Sequence, residues 1–550
     1  MGHFVPTEID IGHELETIGL TPVKLDVLED CLHKYPHDDA LLLYEGFKYG
    51  FKIPFKGQRG YNYSRNHGSA LDNPEIIIDK LMNEVELGRV AGPFDHLPIK
   101  DLKISPIGLV PKSTPGEFRL IFDLSYPRGS SINSGIDQED SSVIYTNFDE
   151  VIKMVLKEGK GSYLIKTDIK SAFRLLPINP SDFDLLGMKF QGKYYVDKCL
   201  PFGLSVSCNL FEKFSCFLEW QIKQNAKTDN MIHYLDDFCG CDKEKSGAQS
   251  LLDKSLSTFD SLGVPTAPEK IEGPTTCIKF LGLEVDTVAM EVRLPEDKLS
   301  DLKACVQDTI LKKGKKITLR ELQSLIGKLN FACRAVAPGR AFLRRLIDAT
   351  IGLRLPHHRI RVSYAMVEDL EVWKSFLDQY NGVQMMADMW VGQVLDLYTD
   401  ASGEIGFGAY FDGHWSYGEW PEWLKNKHYK LLITFKELFP IVLSLILWGH
   451  EWKNQKVIFH CDNQAVVCSI NKQSTKEKSS MHLLRMLVTI CLKLNIVFKA
   501  VHIPGKINQC ADALSRLQIG RFKILAPQAD LVPTPVPNYL WKQLKRKLID

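Results

Sequence analysis

The sequence predicts a multidomain protein of the α+β class. Its 550 residues exceed what one hydrophobic core usually supports, and 45% apolar with 25% charged residues is an ordinary globular composition. Short β-rich runs alternate with longer helical patterns from Tyr163 to Met290, and helical patterns dominate from about 296 to 380. After Trp390, strand signals, a long apolar helix, another strand and further helices indicate a separate α/β unit.

The first 72 residues carry no motif with a recognisable chemistry and are predicted to be an N-terminal extension. Within them, Lys48–Arg65 is rich in Gly, Lys, Arg and aromatic residues, which predicts a loosely ordered basic arm. Asn73 and Pro74 then have the residue types of an N-cap and a first helical position, and periodic apolar residues follow. Between Ile107 and Phe122, two apolar runs flank a turn containing Pro and Gly, which predicts a β-hairpin.

The cysteine content and the apolar runs bear on the setting of the protein. The thirteen cysteines are scattered and odd in number, and no secretory leader is recognisable. Reduced thiols and an intracellular location, cytoplasmic or nuclear, are therefore expected. The most apolar stretch, Phe439–Trp448, has about half the length needed to cross a bilayer. We interpret it as a buried helix and expect no membrane partner.

The formal net charge of +1 argues against a uniformly basic surface, but one segment is strongly basic. From Lys298 to Arg361 the sequence has 15 Lys and Arg against four Asp and Glu. Apolar residues recur there at helical spacing, which would place a basic face opposite a packed one. Such a face suits phosphate binding, and a solvated helical surface is the alternative. The most densely basic part consists of Lys312, Lys313, Lys315 and Lys316.

Three acidic residues form the first candidate site. Asp168 ends an alternating strand in SYLIKTDIKSAF, while Asp236 and Asp237 interrupt the apolar run MIHYLDDFCGC where a hairpin could turn. Strict alternation would send the adjacent acids to opposite faces, so a tight turn must bring Asp237 round, and Asp236 is the firmer predicted ligand. Carboxylates about 4 Å apart repel by about 4 kcal/mol per pair at an effective dielectric near 20, so the cluster needs cations or protons. Hard oxygen ligands with room for substrate phosphates favour Mg²⁺, whereas a polar turn is the alternative for the adjacent pair.

A second set of acids lies on separate predicted elements downstream. Asp400 ends a predicted central strand, Asp462 follows the apolar strand VIFHC, and Asp512 lies on a helix that follows a strand ending at His502. Glu437 has two roles open to it, because it also closes a T-x-x-E capping box. Each acid alone is more often a surface charge than a ligand, but their combined order favours a second metal site.

The motifs over about 100–290 resemble, in order and content, the fingers and palm of retroelement reverse transcriptases. In LVPKSTPGEFRLIFDLS, the resemblance places Lys112 and Arg119 on the triphosphate of the incoming nucleotide, a task that suits a point-charge Lys and a bidentate Arg. An ordinary charged surface hairpin is the alternative. In DIKSAF, the resemblance makes Phe173 the aromatic residue that excludes a ribose 2′-hydroxyl, with a core aromatic as the alternative.

The run LPFGLSVSCNLFEKF is similar to the template-positioning turn and helix of the same family, with Phe202 and Gly203 at the turn. Retroviral enzymes usually have Gln where Phe202 stands, while many LTR retroelements have Phe. Lys270 and the following FLGLEV run resemble the closing palm motifs, including the primer grip. The resemblance implies a right-hand polymerase with fingers and palm over 73–290 and a helical thumb or connection over 291–390.

The second acid set resembles that of the ribonuclease H fold, whose Asp, Glu, Asp, Asp set binds two Mg²⁺ ions and hydrolyses RNA in an RNA:DNA hybrid. The resemblance implies an α/β ribonuclease H-like domain over 391–518. The ten-residue separation of His502 from Asp512 fits the retroviral pattern, which suggests that His502 assists water entry or product release, and a histidine paired to backbone is the alternative. Residues 519–550, with four prolines, are predicted to be a linker or peripheral tail. The implied metal ligands of this domain are Asp400, Glu437, Asp462 and Asp512.

Together these resemblances imply an enzyme that copies RNA and DNA templates into DNA and degrades the copied RNA, with two Mg²⁺ ions per active site, or Mn²⁺ in their place. The expected partners are an RNA template, a DNA primer, an RNA:DNA hybrid and deoxynucleoside triphosphates. The runs FRLIFDLSYPRGSSIN and LIGKLNFACRAVAPGRAFLRRL look most like DIRS-type retrotransposons, which use a separately encoded recombinase. A domesticated or degenerate, non-catalytic nucleic-acid-binding relic is the alternative, although every expected carboxylate is present.

Overall fold

The computed structural model describes residues 11–111, 116–379, 383–385, 394–425, 432–453, 455–494 and 496–549. The chain divides into two compact units. The first extends to Leu281 and includes Asp286–Ala289, and the second takes Gly282–Val285 and the chain from Met290 onward. Within the described ranges, no helix combines the length and the apolar composition that crossing a bilayer requires.

The first unit mixes helices and strands along the chain. Its described helices are α1 (Ile11–Glu16), α2 (Leu25–Leu32), α3 (Asp39–Tyr49), α4 (Gly68–Asp72), α5 (Pro74–Glu86), α6 (Gln138–Ser141), α7 (Phe148–Glu158), α8 (Ser207–Ala226) and α9 (Lys245–Leu262). Its described strands are β1 (Asn62–Tyr63), β2 (Val90–Phe94), β3 (Lys103–Ile104), β4 (Ile107–Pro111), β5 (Phe118–Phe122), β6 (Tyr163–Asp168), β7 (Gly187–Phe190), β8 (Lys193–Asp197), β9 (Met231–Tyr234), β10 (Asp237–Asp242), β11 (Glu272–Thr275) and β12 (Cys277–Phe280).

Two local predictions in this unit are confirmed. The helix expected after Asn73 is α5, which begins at Pro74 and buries Ile77 and Leu81 on one face. Pro suits this first position because its missing N–H has no partner there in any helix. The expected hairpin is formed by β4 and β5, which pair antiparallel with Ile107 opposite Phe122.

A four-stranded sheet in the order β11-β6-β10-β9 carries the first acidic residues. Strand β10 is antiparallel to both β6 and β9, and Asp237 lies opposite Asp168 on one side and Tyr234 on the other. The turn between β9 and β10 therefore lies beside the end of β6. A second sheet in this unit has the order β1-β3-β7-β8-β2.

The N-terminal segment is part of the core of the first unit. Leu28 of α2, with Leu43 and Phe47 of α3, is buried in the same hydrophobic core as Phe214 of α8. The rings of Phe47 and Phe214 lie 4.8 Å apart between centroids. Over residues 11–72, the predicted N-terminal extension is thus part of the first compact unit, because apolar positions without a motif still form helices that pack.

The prediction of a loosely ordered basic arm at Lys48–Arg65 is wrong, because this segment is paired and packed. Its Arg59 forms ion pairs with Asp182 and Asp184. Gly50, with φ +88°, lets the backbone approach Asn179 so closely that a Cβ would lie 2.4 Å from the Asn179 nitrogen. The glycine and the charges that suggested disorder are used for close packing and pairing.

The second unit begins with helices and continues as an α/β structure. Its described helices are α10 (Glu296–Leu311), α11 (Leu319–Ala332), α12 (Arg344–Asp348), α13 (Tyr364–Gln379), α14 (Glu422–Lys425), α15 (Ile433–Trp448), α16 (Gln464–Lys472), α17 (Lys478–Lys493), α18 (Gln509–Ser515), α19 (Ile519–Leu525) and α20 (Asn538–Ile549). Its described strands are β13 (Leu283–Asp286), β14 (Glu291–Arg293), β15 (Lys316–Thr318), β16 (Arg359–Arg361), β17 (Val383–Met385), β18 (Val394–Ala401), β19 (Gly406–Phe411), β20 (His414–Glu419), β21 (Lys456–Cys461) and β22 (Val497–His502).

A five-stranded sheet in the order β20-β19-β18-β21-β22 forms the centre of the α/β part. Strands β18, β21 and β22 are parallel, whereas β19 and β20 continue the sheet antiparallel. The apolar helix α15 packs against β18 and α17, as its sequence predicted for a buried helix. Because β18 and β21 run in the same direction, their carboxyl ends meet at one edge of the sheet.

A buried ion pair joins the helical part of the second unit to its α/β part. Asp369 of α13 is 1% exposed and lies 3.0 Å from Arg345 Nη1 and 3.5 Å from Arg485 Nη2 of α17. Buried charges need such partners, because an unpaired one is costly to desolvate. The boundary predicted between residues 390 and 391 thus falls inside one compact unit.

The C-terminal segment packs on the sheet and is not a linker or peripheral tail. Phe522 of α19 and Leu540 of α20 are buried. The indole N–H of Trp415 on β20 donates to the Asp530 carbonyl oxygen at 2.8 Å, and the Thr534 N–H donates to the Trp415 carbonyl oxygen at 2.8 Å. The prediction for residues 519–550 is therefore wrong, since the prolines lie in a segment that still bonds to a strand.

We expect Phe47→Ala to lower the free energy of unfolding of the first unit by about 3–5 kcal/mol, because it leaves a cavity beside Phe51 and Phe214. Native-state hydrogen exchange of peptides from α8 would measure the loss. Leu41→Ala, on the same helix but 64% exposed, is the matched control and should change the value by less than about 0.5 kcal/mol. Equal, small effects of both variants would contradict the packing of α3 in the core.

Candidate functional site

The first acidic residues meet at the turn between β9 and β10. Asp168 is the last residue of β6, Asp237 is the first of β10, and Asp236 lies in the turn. Leu235 adopts φ +52°, a left-handed conformation that turns the chain sharply before Asp236. The Ile169 N–H donates to the Asp236 carbonyl oxygen at 3.0 Å, which fixes the turn against the end of β6. The tight turn expected from the sequence thus brings all three acids together.

Burial and mutual repulsion make it costly for all three carboxylates of this cluster to be ionised at once. Burial, followed by the charges of Asp236 and Asp168, raises the pKa of Asp237 to about 6. Burial also raises the pKa of Asp236, and Asp168 adds to the shift. A divalent cation would remove this repulsion, and carboxylate oxygens are the ligands that Mg²⁺ prefers. The donor set therefore fits magnesium, with Asp237 directly beside Asp168 and Asp236 on the turn.

Lys270 is brought to the same cluster, in the short turn Pro268–Lys270 that precedes β11. Its ammonium group donates to Asp168 Oδ2 at 2.7 Å. Partial burial opposes the charge of Lys270, but the hydrogen bond to Asp168 raises its pKa. The sequence placed this lysine among the closing motifs of the domain, and its contact with Asp168 could not be read from its position in the chain.

Two of the other predicted binding residues of the first unit lie at a cavity of about 570 Å³. Arg119 of β5 and Phe202 line it, and the Arg119 guanidinium lies 5.9 Å from the centroid of the Phe202 ring. The Phe173 ring meets Phe202 edge-on at 5.0 Å. Lys112 lies outside the described residues.

Gly203 makes a close backbone approach that no other residue would permit. A Cβ at this position would lie 1.7 Å from the carbonyl oxygen of Phe122, the last residue of β5. Asn133 holds the same turn by donating to the Gly203 carbonyl oxygen at 2.9 Å. Gly203 thus sets the position of Phe202 relative to the β4–β5 hairpin.

Arg174, which the sequence analysis did not single out, holds the wall of this cavity. It is buried, donates to both oxygens of Asp197 at 2.8 and 2.9 Å, and lies 2.9 Å from Glu84 of α5. The ion pairs tie α5 and β8 to the short turn that carries Phe173. In the sequence, Arg174 is the single charged residue of the apolar run AFRLLPI. This pattern indicates that the arginine pairs with a buried acid, but it does not identify the acid.

The second set of acids meets at the carboxyl edge of the five-stranded sheet. Asp400 lies near the end of β18, Asp462 follows β21, and Asp512 lies on α18. Ser515 of α18 donates to Asp400 Oδ2. Ligand atoms of Glu437, Cys461 and Asp462 lie within 4.8 Å of one another. The structure therefore brings all four predicted acids to one region.

Glu437 is the most strongly perturbed acid of this cluster. Burial, followed by the charges of Asp400 and Asp462, raises its pKa to about 9. Its Oε2 is buried without a hydrogen-bond partner among the described residues. The capping box that was the alternative for Thr434–Glu437 does not form, because α15 begins after Leu432 and no side chain caps it. A bound cation would supply the missing partner, so this carboxylate fits a metal site.

Asp512 and His502 are held by contacts of different kinds. Burial alone would raise the pKa of Asp512, but hydrogen bonds from Arg516 at 2.6 Å and Arg521 at 2.7 Å lower it. His502 Nε2 lies 3.1 Å from the backbone oxygen of Asp462, the backbone pairing that was the alternative for this residue. His502 therefore contacts the cluster only by its bond to the backbone of Asp462 among these contacts. The two arginines keep Asp512 ionised.

Residues 110–285 match the family described as "Reverse transcriptase (RNA-dependent DNA polymerase)". The chain is 25% identical over 221 residues to the Gag-Pro-Pol polyprotein of Mason-Pfizer monkey virus, and 21% identical over 386 residues to the transposon Tf2-3 polyprotein of Schizosaccharomyces pombe. These alignments cover 38% and 67% of this chain but only 12% and 26% of the polyproteins. Among solved structures, a foamy viral protease-reverse transcriptase in complex with double-stranded DNA is 17% identical, with a TM-score of 0.48 over 91% of this chain and 84% of that one.

The raised pKa of Glu437 has a consequence for stability in the absence of divalent cations. Between its ordinary pKa of 4.5 and about 9, the folded chain binds more protons than the unfolded chain. Stability should therefore fall as pH rises through this window, by up to about 1.4 kcal/mol per pH unit. Glu437→Gln removes this dependence, so in EDTA the variant should melt higher than the native chain at about pH 8 and equally at about pH 4.

Thermal unfolding of both chains across this pH range checks the prediction. Glu422→Gln, in the same unit with a side chain that is 90% exposed, is the control and should match the native chain throughout. A Glu437→Gln effect of the same size at every pH would show that shape, not charge, causes it.

Proposed function

We propose that the chain, which carries a reverse transcriptase domain at residues 110–285, copies RNA and DNA templates into DNA and hydrolyses the RNA of the resulting hybrid. The observation that carries the proposal is the register that sets Asp237 opposite Asp168 at the end of a buried strand, with Asp236 in the adjoining turn. A second acidic cluster, in the other unit, supports the hydrolytic activity. The two activities would then have separate active sites.

In the proposed polymerase site, Asp168, Asp236 and Asp237 would hold Mg²⁺. When bound, the ions supply the Lewis acidity that activates the primer 3′-hydroxyl and neutralises the departing pyrophosphate. Lys270 offsets part of the negative charge of the cluster through Asp168. Arg119 is placed to bind the triphosphate, and Phe173 and Phe202 form an aromatic wall for the sugar and the templating base.

In the proposed ribonuclease H site, the metal-holding residues would be Asp400, Glu437, Asp462 and Asp512. Ser515 orients Asp400, and two arginines keep Asp512 ionised, so that both can accept a cation. Glu437 would lose its proton on binding one, because its raised pKa reflects burial beside other acids. His502, fixed to the Asp462 backbone, would assist the movement of water or product at the edge of the site.

The resemblance to DIRS-type elements would add a separately encoded recombinase as a partner of the enzyme. The second candidate function is that of a degenerate enzyme that binds nucleic acid without catalysis. A relic has no need to keep two clusters of acids whose mutual repulsion costs stability. The raised pKa values of Asp237 and Glu437 therefore favour the catalytic proposal.

We expect Asp236→Asn to reduce Mg²⁺-dependent primer extension on an RNA template by about 10³-fold or more, equivalent to about 4 kcal/mol of barrier. The reason is the loss of a charged ligand from the first cluster. Asp462→Asn should abolish cleavage of the RNA strand in a labelled hybrid while it leaves extension intact.

Each of these variants is the control for the other. Undiminished extension by Asp236→Asn would overturn the polymerase site, and cleavage that survives Asp462→Asn would overturn the second site. If the native chain bound primer-template but had neither activity, the second candidate function, binding without catalysis, would be correct.

The basic segment offers a test of template-primer binding. Lys315 and Lys316 are exposed, whereas Lys312 lies 2.8 Å from Asp308. Neutralising Lys315 and Lys316 to Gln should weaken binding and reduce the slope of log affinity against log salt by about 2. Lys312→Gln, whose charge is already paired, is the control and should change the slope by less than about 0.5. An unchanged slope in the double variant would make the segment an ordinary solvated surface.

A further inference from the structure

A cluster of metal-ligating side chains lies in the first unit, apart from the acids already described. It consists of Glu212 and Cys216 of α8 and His233 of β9, whose ligand atoms all lie within 4.8 Å of one another. His233 Nε2 is 3.4 Å from Glu212 Oε1 and 3.9 Å from Cys216 Sγ. His233 and Glu212 are largely buried, whereas Cys216 is exposed.

The distances are close to those of a tetrahedral zinc site. With Zn–N and Zn–O bonds near 2.1 Å and Zn–S bonds near 2.3 Å, the N–O and N–S edges of a tetrahedron are about 3.4 and 3.6 Å. The observed separations of 3.4 and 3.9 Å match these edges to within a few tenths of an ångström. One ion could therefore contact all three side chains with small rotamer adjustments.

The secondary structure presents these groups together. Glu212, Cys216 and Glu219 are four and seven residues apart on α8, which places them on one face of the helix. On β9, His233 points to the opposite side from Ile232 and Tyr234. The polar face of α8 and the histidine of β9 meet where the helix packs on the strand.

Glu219 orients the histidine through the ring nitrogen that faces away from Glu212 and Cys216. Its Oε2 lies 2.5 Å from His233 Nδ1, and Lys223 Nζ lies 2.5 Å from its Oε1. A carboxylate that accepts Nδ1–H fixes the tautomer and leaves the Nε2 lone pair for a metal. Here Nε2 is the nitrogen that faces Glu212 and Cys216.

Glu212 also has a buried oxygen that lacks a partner. Its Oε2 is fully buried without a hydrogen bond among the described residues. A buried oxygen left unsatisfied in this way destabilises the folded chain. The carboxylates of Glu212 and Glu219 face the two ring nitrogens of His233, at 3.4 and 2.5 Å. The pocket therefore attracts positive charge.

We propose that Glu212, Cys216 and His233 bind one Zn²⁺ ion. A thiolate and an imidazole select zinc over Mg²⁺ or Ca²⁺, and the carboxylate completes three protein ligands with one position left for water beside exposed Cys216. Zinc needs a neutral imidazole and a thiolate as ligands, so protons compete with the ion and affinity falls as pH falls. The ion would join α8, which follows the turn at Gly203, to the strand that leads into Asp236.

Cobalt titration of the full chain, stripped with a chelator and held in excess Mg²⁺, tests the site. One equivalent of Co²⁺ should give thiolate-to-cobalt charge-transfer absorption and the d–d bands of a tetrahedral ion. Cys216→Ser should lose the charge-transfer band. Cys461→Ser is the matched control, because Cys461 lies beside Glu437 and Asp462 in the other unit, and it should keep the band.

Two further measurements separate a metal site from a merely structural cluster. Zn²⁺ should displace Co²⁺ and raise the melting temperature of the native chain and of Cys461→Ser, but not of Cys216→Ser. Glu219→Gln keeps all three ligands and should weaken Co²⁺ binding by about 10–100-fold.

Three outcomes would overturn the proposal. The native chain could show no thiolate band, which would leave the cluster as a proton-holding network. Cys216→Ser could keep the band, or Cys461→Ser could lose it, which would place the thiolate elsewhere. Because the readouts are absorption and melting temperature, they are independent of whether the chain extends a primer.

Discussion

Mutual repulsion between carboxylates is the constraint on which both acidic clusters depend. In each unit, acids lie where strands end, so that the sheet fixes the backbone that carries them. Asp237 lies opposite Asp168 in the first unit, and Glu437 lies beside Asp462 in the second. Such clusters form only if the free energy of packing around them exceeds the repulsion, or if cations or protons relieve it. The packed sheets hold the acids close together, and their burial and this closeness raise the pKa values of Asp237 and Glu437.

The two clusters are compensated differently. In the first, Lys270 reaches Asp168 from a turn that lies about a hundred residues along the chain, and provides a permanent positive charge. In the second, Arg516 and Arg521 neutralise Asp512, while Glu437 Oε2 is buried without a hydrogen-bond partner in the described part of the chain. A cation would therefore contribute most to the second cluster, since it would give this buried oxygen its missing contact.

The scaffold around the clusters draws on both ends of the chain. Helices α2 and α3 supply part of the core under α8, and α19 and α20 cover the sheet that carries Asp400. Buried ion pairs add direction to this packing, as Arg174 does between α5 and β8 and as Asp369 does between α13 and α17. Apolar contacts supply most of the free energy, and the buried pairs fix which elements meet.

The sequence alone determined the elements that depend on local periodicity and turn chemistry: α5 after Asn73, the β4–β5 hairpin, the central strand that ends near Asp400, and the acids as candidates in their order. It misjudged segments without motifs, because Gly, Pro and charge are typical of loops whether or not the loop packs. It also left open a capping role for Glu437, which local spacing allows and the helix start at Ile433 excludes. Only the tertiary structure decided that Lys270 meets Asp168, that Arg174 pairs with Asp197, and that His233 lies between Glu212 and Glu219. These contacts join residues far apart in the chain, and a long-range contact is set by the packing of whole elements, which no local pattern encodes.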